Sequence, residues 1–139
     1  MKHIKIVDET RRIAIPKGTK IVCPLCLKVI SEVKKDLRYG DALDDDAIEG
    51  FKTGDRLLCP HCGFPFSMYI ETLVYKGGII YTDKGWLPDF LHDLKRTQEV
   101  IYSCLKLNLV ELLKIEGLWK DEWLKIGKNK QILDILKNK

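Results

Sequence analysis

Two short stretches of the sequence share one pattern and decide the fold: residues 21–27 read IVCPLCL and residues 57–64 read LLCPHCGF. Each contains a Cys-Pro-x-Cys turn, and the four cysteines are Cys23, Cys26, Cys59 and Cys62. A Cys-x-x-Cys turn presents two thiolates from one tight loop, and two such turns supply the four sulfur ligands of a tetrahedral zinc site. The sequence therefore predicts one structural Zn²⁺ held by these four side chains.

Two further side chains are candidates for the same site. Cys104 has no neighbouring cysteine and lies in an apolar segment, so we expect a buried, unreactive thiol rather than a fifth ligand or a nucleophile. His61 lies inside the second turn, where both cysteines are available as ligands. We therefore expect its imidazole to stay outside the coordination shell.

The two turns, each expected at the end of a β-hairpin, resemble the zinc ribbon family over about residues 20–70. That resemblance implies a hairpin fold pinned by one zinc, and it leaves the function open, because zinc ribbons occur in transcription factors, polymerase subunits, ribosomal proteins, enzymes and phage proteins. In this chain 32 residues, 27 to 58, separate the two pairs, whereas compact sites have about 15–20. CPHCG also resembles a rubredoxin turn, and iron in place of zinc would make an electron carrier, but CPLCL has no matching glycine.

The energetics of such a site indicate its role. A structural zinc contributes on the order of 10–16 kcal/mol in small peptides, which is comparable with the whole stability of a domain, about 5–15 kcal/mol. We therefore expect the metal to be a condition of folding. Four thiolates leave no open coordination position for water, so the site is not expected to hydrolyse a substrate.

The 139-residue chain changes character near Trp86. Residues 3–7 and 11–15 alternate apolar with polar side chains, which predicts a first hairpin with Ile4, Ile6, Ile13 and Ile15 facing inward. FPFSMYIETLVY, KGG and IIYT (residues 64–82) predict a second hairpin that turns at KGG. Beyond Trp86, Pro88 fits the first turn of a helix, and apolar residues follow at spacings of three and four. The predicted fold is α+β: a zinc-pinned antiparallel β region, 1–85, and a small helical region, 86–139, that packs on it or beside it.

Charge is distributed unevenly along the chain, whose formal net charge is +4. Residues 1–40 carry most of the positive excess, and 41–49 contain five acidic residues and no basic one. A basic stripe that contacts phosphates would make the protein a DNA- or RNA-binding protein. The candidates for that stripe are Arg11, Arg12, Lys34, Lys35 and Arg38. A Zn(Cys)₄ centre lowers the net charge by about two, and the acidic segment opposes phosphate binding.

Apolar side chains of the helical region provide a second candidate surface. If they are exposed, they would dock on a partner or on a second copy of the chain; otherwise they pack on the β region. These residues are Leu87, Leu91, Leu94, Ile101, Trp119 and Trp123.

Several functional classes are not indicated by this sequence. There is no nucleophile with a base and an orienting group, and no glycine-rich phosphate loop, so we do not expect an enzyme. Residues 1–12 lack a secretory pattern and no segment reads as a membrane span, so we expect a cytoplasmic protein, in the host cytoplasm if it is viral. The preferred hypothesis is an adaptor that docks on a protein or nucleoprotein assembly, of a phage or transcription-associated type. The alternative is direct nucleic-acid binding.

Overall fold

The computed structural model describes residues 12–51 and 56–137, and in these ranges it is an α+β fold, as predicted. The strands are β1 (Ile13–Ile15), β2 (Lys20–Val22), β3 (Val29–Glu32), β4 (Leu37–Arg38), β5 (Leu57–Leu58), β6 (Pro65–Glu71), β7 (Lys76–Thr82) and β8 (Gly85–Pro88). The helices are α1 (Leu94–Ile115), α2 (Trp123–Ile126) and α3 (Lys130–Lys137).

The principal sheet is antiparallel and curled, in the order β3-β2-β7-β6-β5, and β8 pairs with β7. Its longest pairing joins β6 to β7, from Ser67 opposite Ile80 to Glu71 opposite Lys76. Both strands are buried over most of their length: Phe66, Ser67 and Met68 are buried in succession in β6, as are Ile79 and Ile80 in β7. β1 pairs with β4 in a separate two-stranded sheet.

The acidic segment, residues 41–49, is an ordered part of the packed structure. Leu43, Ala47 and Ile48 are buried, whereas the side chains of residues 44–46 are exposed. A bridge between Val33 and Ile48 ties the segment to the end of β3. The long interval between the two cysteine pairs therefore contains β3, β4 and a stretch whose apolar residues complete the core.

The helical part begins at Asp93, whose Oδ1 accepts a hydrogen bond from the backbone N–H of Arg96 at 3.4 Å. α1 runs without a break to Ile115 and packs against β8 and α3. Asn129 precedes α3, and its Oδ1 accepts from the N–H of Gln131 at 3.1 Å, as expected of a capping residue. One hydrophobic core contains side chains from the strands and from all three helices.

Three details of the predicted organisation are wrong or fall outside the description. Pro88 does not start the helix: it belongs to β8, and the helix starts at Leu94. The second hairpin turns at residues 72–75 rather than at KGG, because Thr72 Oγ1 accepts from the N–H groups of Val74 and Tyr75 at 3.2 and 2.7 Å. The hairpin predicted from residues 3–7 and 11–15 stays a prediction, because residues 3–7 lie outside the described residues. No helix in the described ranges has both the length and the apolar character needed to cross a bilayer.

Candidate metal centre

The two Cys-Pro-x-Cys turns have the same position in their hairpins. The first joins β2 to β3 and the second joins β5 to β6, and both strand pairs are antiparallel. In the first turn the N–H of Cys23 donates to the carbonyl of Lys28 at 3.0 Å; in the second the N–H of Cys59 donates to that of Phe64 at 2.8 Å. This is the local arrangement implied by the zinc ribbon resemblance.

The two turns differ at the residue that follows the second cysteine. The N–H of Leu27 donates to the Cys23 carbonyl at 3.0 Å, and the N–H of Gly63 donates to the Cys59 carbonyl at 2.9 Å. Both residues are left-handed, with φ of 63° at Leu27 and 78° at Gly63. Glycine adopts this conformation without cost, whereas a side chain with a Cβ atom does not. Among the described residues Leu27 is the one non-glycine with a positive φ.

The four cysteine sulfurs converge on one point. All four Sγ atoms lie within 4.8 Å of one another, and all four residues are buried. The Sγ atoms of Cys23 and Cys62 are 3.5 Å apart, and those of Cys26 and Cys59 are 3.8 Å apart. These separations exclude disulfides and match the roughly 3.8 Å between sulfurs that Zn–S bonds of about 2.3 Å give in a tetrahedron. The cluster could hold one metal ion and is consistent with a zinc site.

Backbone groups surround the sulfurs and affect their protonation. Burial raises the pKa of the Cys23 thiol, and burial raises the pKa of Cys62 to about 11. Burial also raises the pKa of Cys59, but N–H groups of Cys62 and His61 donate to its sulfur and bring the pKa below its ordinary value. Two of the thiols therefore resist ionisation without a cation, and a bound metal supplies the positive charge that holds thiolates in the buried site.

The C-terminal part of the chain contacts both turns directly through residues 123–129, which we call the strap. Trp123 is fully buried, and its Nε1 donates to the carbonyl of Cys62 at 2.8 Å. Its ring packs edge-on against Phe64 with centroids 4.9 Å apart. At the other turn, the carbonyl of Leu25 accepts from the N–H of Lys128 at 2.8 Å and of Asn129 at 3.2 Å. The strap therefore fastens the helical part to the metal site.

The other candidate ligands lie elsewhere. The side chain of His61 is exposed and does not belong to the sulfur cluster, although its backbone N–H donates to Cys59 Sγ at 3.3 Å. Cys104 is partly exposed on α1, so the expectation of a buried thiol is wrong. It lies beside the β6–β7 turn, far along the chain from the four clustered cysteines.

The basic candidates that the structure describes lie next to the acidic segment, residues 41–49. Arg11 lies outside the described residues; Arg12, Lys34 and Lys35 are exposed and Arg38 is half-buried. The acidic segment contacts the backbone of two of these basic residues. The N–H of Lys34 donates to the Ala47 carbonyl at 2.7 Å, and the N–H of Arg38 donates to Asp41 Oδ2 at 2.8 Å. The carboxylate of Asp41 and the exposed carboxylates of residues 44–46 reduce the local positive potential that attracts phosphates.

The predicted docking face is largely inside the molecule. Leu87, Leu91, Ile101 and Trp123 are buried and Leu94 and Trp119 are half-buried, so of the two alternatives for these side chains the structure has them packed inside the molecule. The physical reason is that β8, α1 and the strap pack these side chains against the sheet. The apolar residues exposed instead include Leu73, Val74, Leu107 and Ile115.

Sequence reasoning missed the strap contacts to the metal site. The Leu25 and Cys62 carbonyls are backbone acceptors, so they leave no signature in the sequence. The indole of Trp123 was a usable signal, because the N–H of a buried tryptophan usually finds a hydrogen-bond acceptor. Comparison with protein-family models, curated proteins and solved structures gives no significant match. The chemistry of the site therefore carries the functional argument.

Proposed function

We propose that this protein is a non-enzymatic adaptor whose single zinc ion is structural, and that it docks on a protein partner within a larger assembly. The docking surface in this proposal is the knuckle surface, which comprises the exposed apolar side chains of Leu27, Val29 and Leu58. Their exposed fractions are 43%, 56% and 43%. Leu27 and Leu58 directly follow and precede cysteines whose sulfurs are 3.8 Å apart, so the metal site sets their relative position.

The observation that carries the proposal is the backbone of Leu27. The second turn uses glycine where its φ is positive, and the first turn uses an exposed leucine at φ 63°. A left-handed leucine costs about 1–2 kcal/mol relative to an ordinary conformation. Backbone strain of this kind lowers the stability of the folded state, and it is found most often at functional positions. An exposed apolar side chain held at such a position is suited to contact a partner.

The chemistry of the four-cysteine cluster supports a structural rather than catalytic metal. All four potential ligands are buried cysteines, and a metal that binds four thiolates has no open position for water or substrate. The strap covers the site through Trp123 and Asn129. A buried ion of this kind can fix the shape of the knuckle surface without taking part in a reaction.

One substitution separates the proposed docking role from a role in folding. Leu27→Gly removes the exposed side chain and relieves the strained backbone, so partner capture should fall while the stability of the zinc-loaded protein is kept or rises. The measurement is a quantitative pull-down with the wild-type chain as bait, compared with the variant. Leu73→Ser is the matched control, since Leu73 is fully exposed on the β6–β7 turn.

The outcomes of this comparison are distinct. The proposal is supported if a partner is captured by the wild type and by Leu73→Ser but lost with Leu27→Gly. It fails if Leu27→Gly captures the same partners equally well. Salt-dependent binding of DNA or RNA that charge reversal at Arg12, Lys34 and Lys35 abolishes would replace it with the nucleic-acid alternative. Elemental analysis that finds iron rather than zinc would favour the electron carrier.

A further inference from the structure

A lysine from the C-terminal part of the chain lies against the second metal-binding turn. A Cβ atom on Gly63 would be 3.0 Å from Lys120 Nζ and 3.5 Å from Lys120 Cε, so the end of this side chain rests on the glycine. Gly63 directly follows Cys62, and its N–H closes the turn on the Cys59 carbonyl at 2.9 Å. The ammonium group therefore lies beside the loop that presents two of the four sulfurs.

The backbone of Lys120 is held in place by two tryptophans. Its carbonyl accepts from the N–H of Trp123 at 3.2 Å, and Trp123 is the fully buried residue whose Nε1 donates to the Cys62 carbonyl. Trp119 precedes Lys120 and packs edge-on against Trp123, with ring centroids 5.9 Å apart. The position of the lysine is therefore set by the contacts that join the helical part to the metal site.

The charge of Lys120 is not matched by a carboxylate. In residues 12–51 and 56–137 the ion pairs of basic side chains join other residues, and none includes Lys120. The neighbouring carboxylate of Asp121 accepts from Trp119 Nε1 at 2.8 Å instead. A cation held against a turn is stabilised when the turn itself carries negative charge. A zinc ion with four thiolates would supply that charge, because its net charge is about −2.

We propose that the Lys120 ammonium compensates the negative charge of the zinc–thiolate centre and so raises the affinity of the four cysteines for the ion. This role presupposes the structural zinc of the proposed function. Lys120 is not a ligand; it acts through the electrostatic potential at the sulfurs, as groups outside the ligand shell commonly do. The helical part thereby completes a site whose four ligands all come from the β part. Gly63 keeps the space that the ammonium occupies.

The affinity of the 139-residue protein for zinc can be measured by competition with a chromophoric chelator at low ionic strength. Lys120→Gln removes the charge and should weaken zinc binding about three- to tenfold. This is less than the roughly 10–100-fold effect of many outer-shell partners, because Lys120 is exposed. Lys120→Glu should weaken binding by about the square of that factor, since it changes the charge by two. Lys120→Arg keeps the charge and should bind within about twofold of the wild type.

Ionic strength separates an electrostatic role from a packing role. The difference in affinity between the wild type and Lys120→Gln should shrink below about twofold at 1 M salt, where screening acts over about 3 Å. Lys76→Gln is the matched control, because it also removes one positive charge. Lys76 pairs with Glu71 at the far end of β6, about 20 Å along the strand from Pro65, so this variant should keep the wild-type affinity.

The outcomes separate the role of Lys120 from the proposed function. A graded loss of affinity from Gln to Glu, restored by Arg and reduced by salt, supports the role. It is overturned if Lys120→Gln binds zinc as tightly as Lys76→Gln, if Lys120→Arg does not restore the affinity, or if salt leaves the loss unchanged. In each of those cases zinc still binds, and the structural ion stands. A wild-type protein that binds no zinc overturns both.

Discussion

At the level of single residues, the two metal-binding turns show how one side chain changes the energy of a shared backbone. Both turns close with a left-handed residue whose N–H donates to the carbonyl of the first cysteine. Gly63 occupies this position with no Cβ to crowd the carbonyl, whereas Leu27 occupies it with a branched side chain. The first turn is therefore the less stable of the two as an isolated loop.

Single substitutions at these two positions should change the free energy of unfolding in opposite directions. Leu27→Gly should raise the free energy of unfolding of the zinc-loaded protein by about 0.5–1 kcal/mol, because the relief of strain exceeds the entropy that glycine adds to the unfolded chain. Gly63→Ala should lower it by about 1–2 kcal/mol, since alanine is strained at φ 78°. Urea unfolding monitored by far-ultraviolet circular dichroism measures both. A loss of stability in Leu27→Gly would show that the contacts of the leucine side chain stabilise the protein by more than the backbone strain costs.

At the level of elements, local patterns predicted the class of each segment better than its boundaries. The two cysteine turns and the run FPFSMYI followed by IIYT predicted hairpins correctly, because turn and strand signals are local properties of a sequence. Pro88 was compatible with a helix start, but pairing of β8 with β7 places it in a strand. The same pairing cannot be derived from the local sequence, since Leu87 and Leu91 fit a helical stripe equally well.

The convergence of the two cysteine pairs was also predictable, whereas the strap was not. Ligand chemistry requires Cys23, Cys26, Cys59 and Cys62 to meet at one metal, whatever fold connects them. By contrast, the strap binds to main-chain carbonyls of Leu25 and Cys62, which any sequence could offer. Contacts to backbone atoms between distant segments depend on the whole topology.

The hydrogen bond from the strap to the second turn should contribute measurably to stability. Trp123→Phe removes the Nε1 donor, leaves the Cys62 carbonyl buried and unsatisfied, and opens space beside Phe64. The expected loss in the free energy of unfolding is about 2–4 kcal/mol. Trp119→Phe is the matched control, because Trp119 is partly exposed and its Nε1 donates to exposed Asp121 at 2.8 Å. Its loss should be below about 1 kcal/mol. Equal losses in the two variants would contradict the role given to Trp123.

The strap also depends on the absence of a side chain at Gly127. A Cβ atom there would lie 2.6 Å from Leu133 Cδ2, 2.7 Å from Leu25 Cδ1 and 3.0 Å from the Trp123 carbonyl oxygen. Gly127→Ala should therefore destabilise the protein by about 1–3 kcal/mol through overpacking, although φ is −62° and suits alanine. Thermal unfolding checks this, with Gly117→Ala as a comparison in which strain arises from φ 71° and no neighbour lies within 4 Å of the Cβ. The double variant Leu25→Ala with Gly127→Ala should lose less stability than the sum of the two single losses, because the smaller side chain makes room for the added Cβ. A purely additive result would argue against direct contact.

At the level of the whole molecule, the metal site connects parts that are far apart in the chain. Its cysteines come from two hairpins, and the strap joins those hairpins to the helices through Trp123 and Asn129. The hydrophobic core includes the four cysteines together with α1 and α3 side chains such as Leu105 and Ile135. In the proposed zinc-loaded state, loss of the ion would leave buried thiols in the middle of a shared core, and its effect should not stay local.

Removal of the metal should accordingly unfold the strand and helical parts together. A strong chelator should abolish the far-ultraviolet helical signal of α1 and the near-ultraviolet signal of the tryptophans in one transition. The reason is that a structural zinc contributes on the order of 10–16 kcal/mol, whereas the free energy of unfolding of a domain is about 5–15 kcal/mol. Thiol labelling gives an independent measurement. Of the five cysteines, only the partly exposed Cys104 should react quickly in the loaded protein, and all should react after chelation. Rapid labelling of the four clustered cysteines before chelation, or a helical signal that survives it, would show that the core holds without the ion.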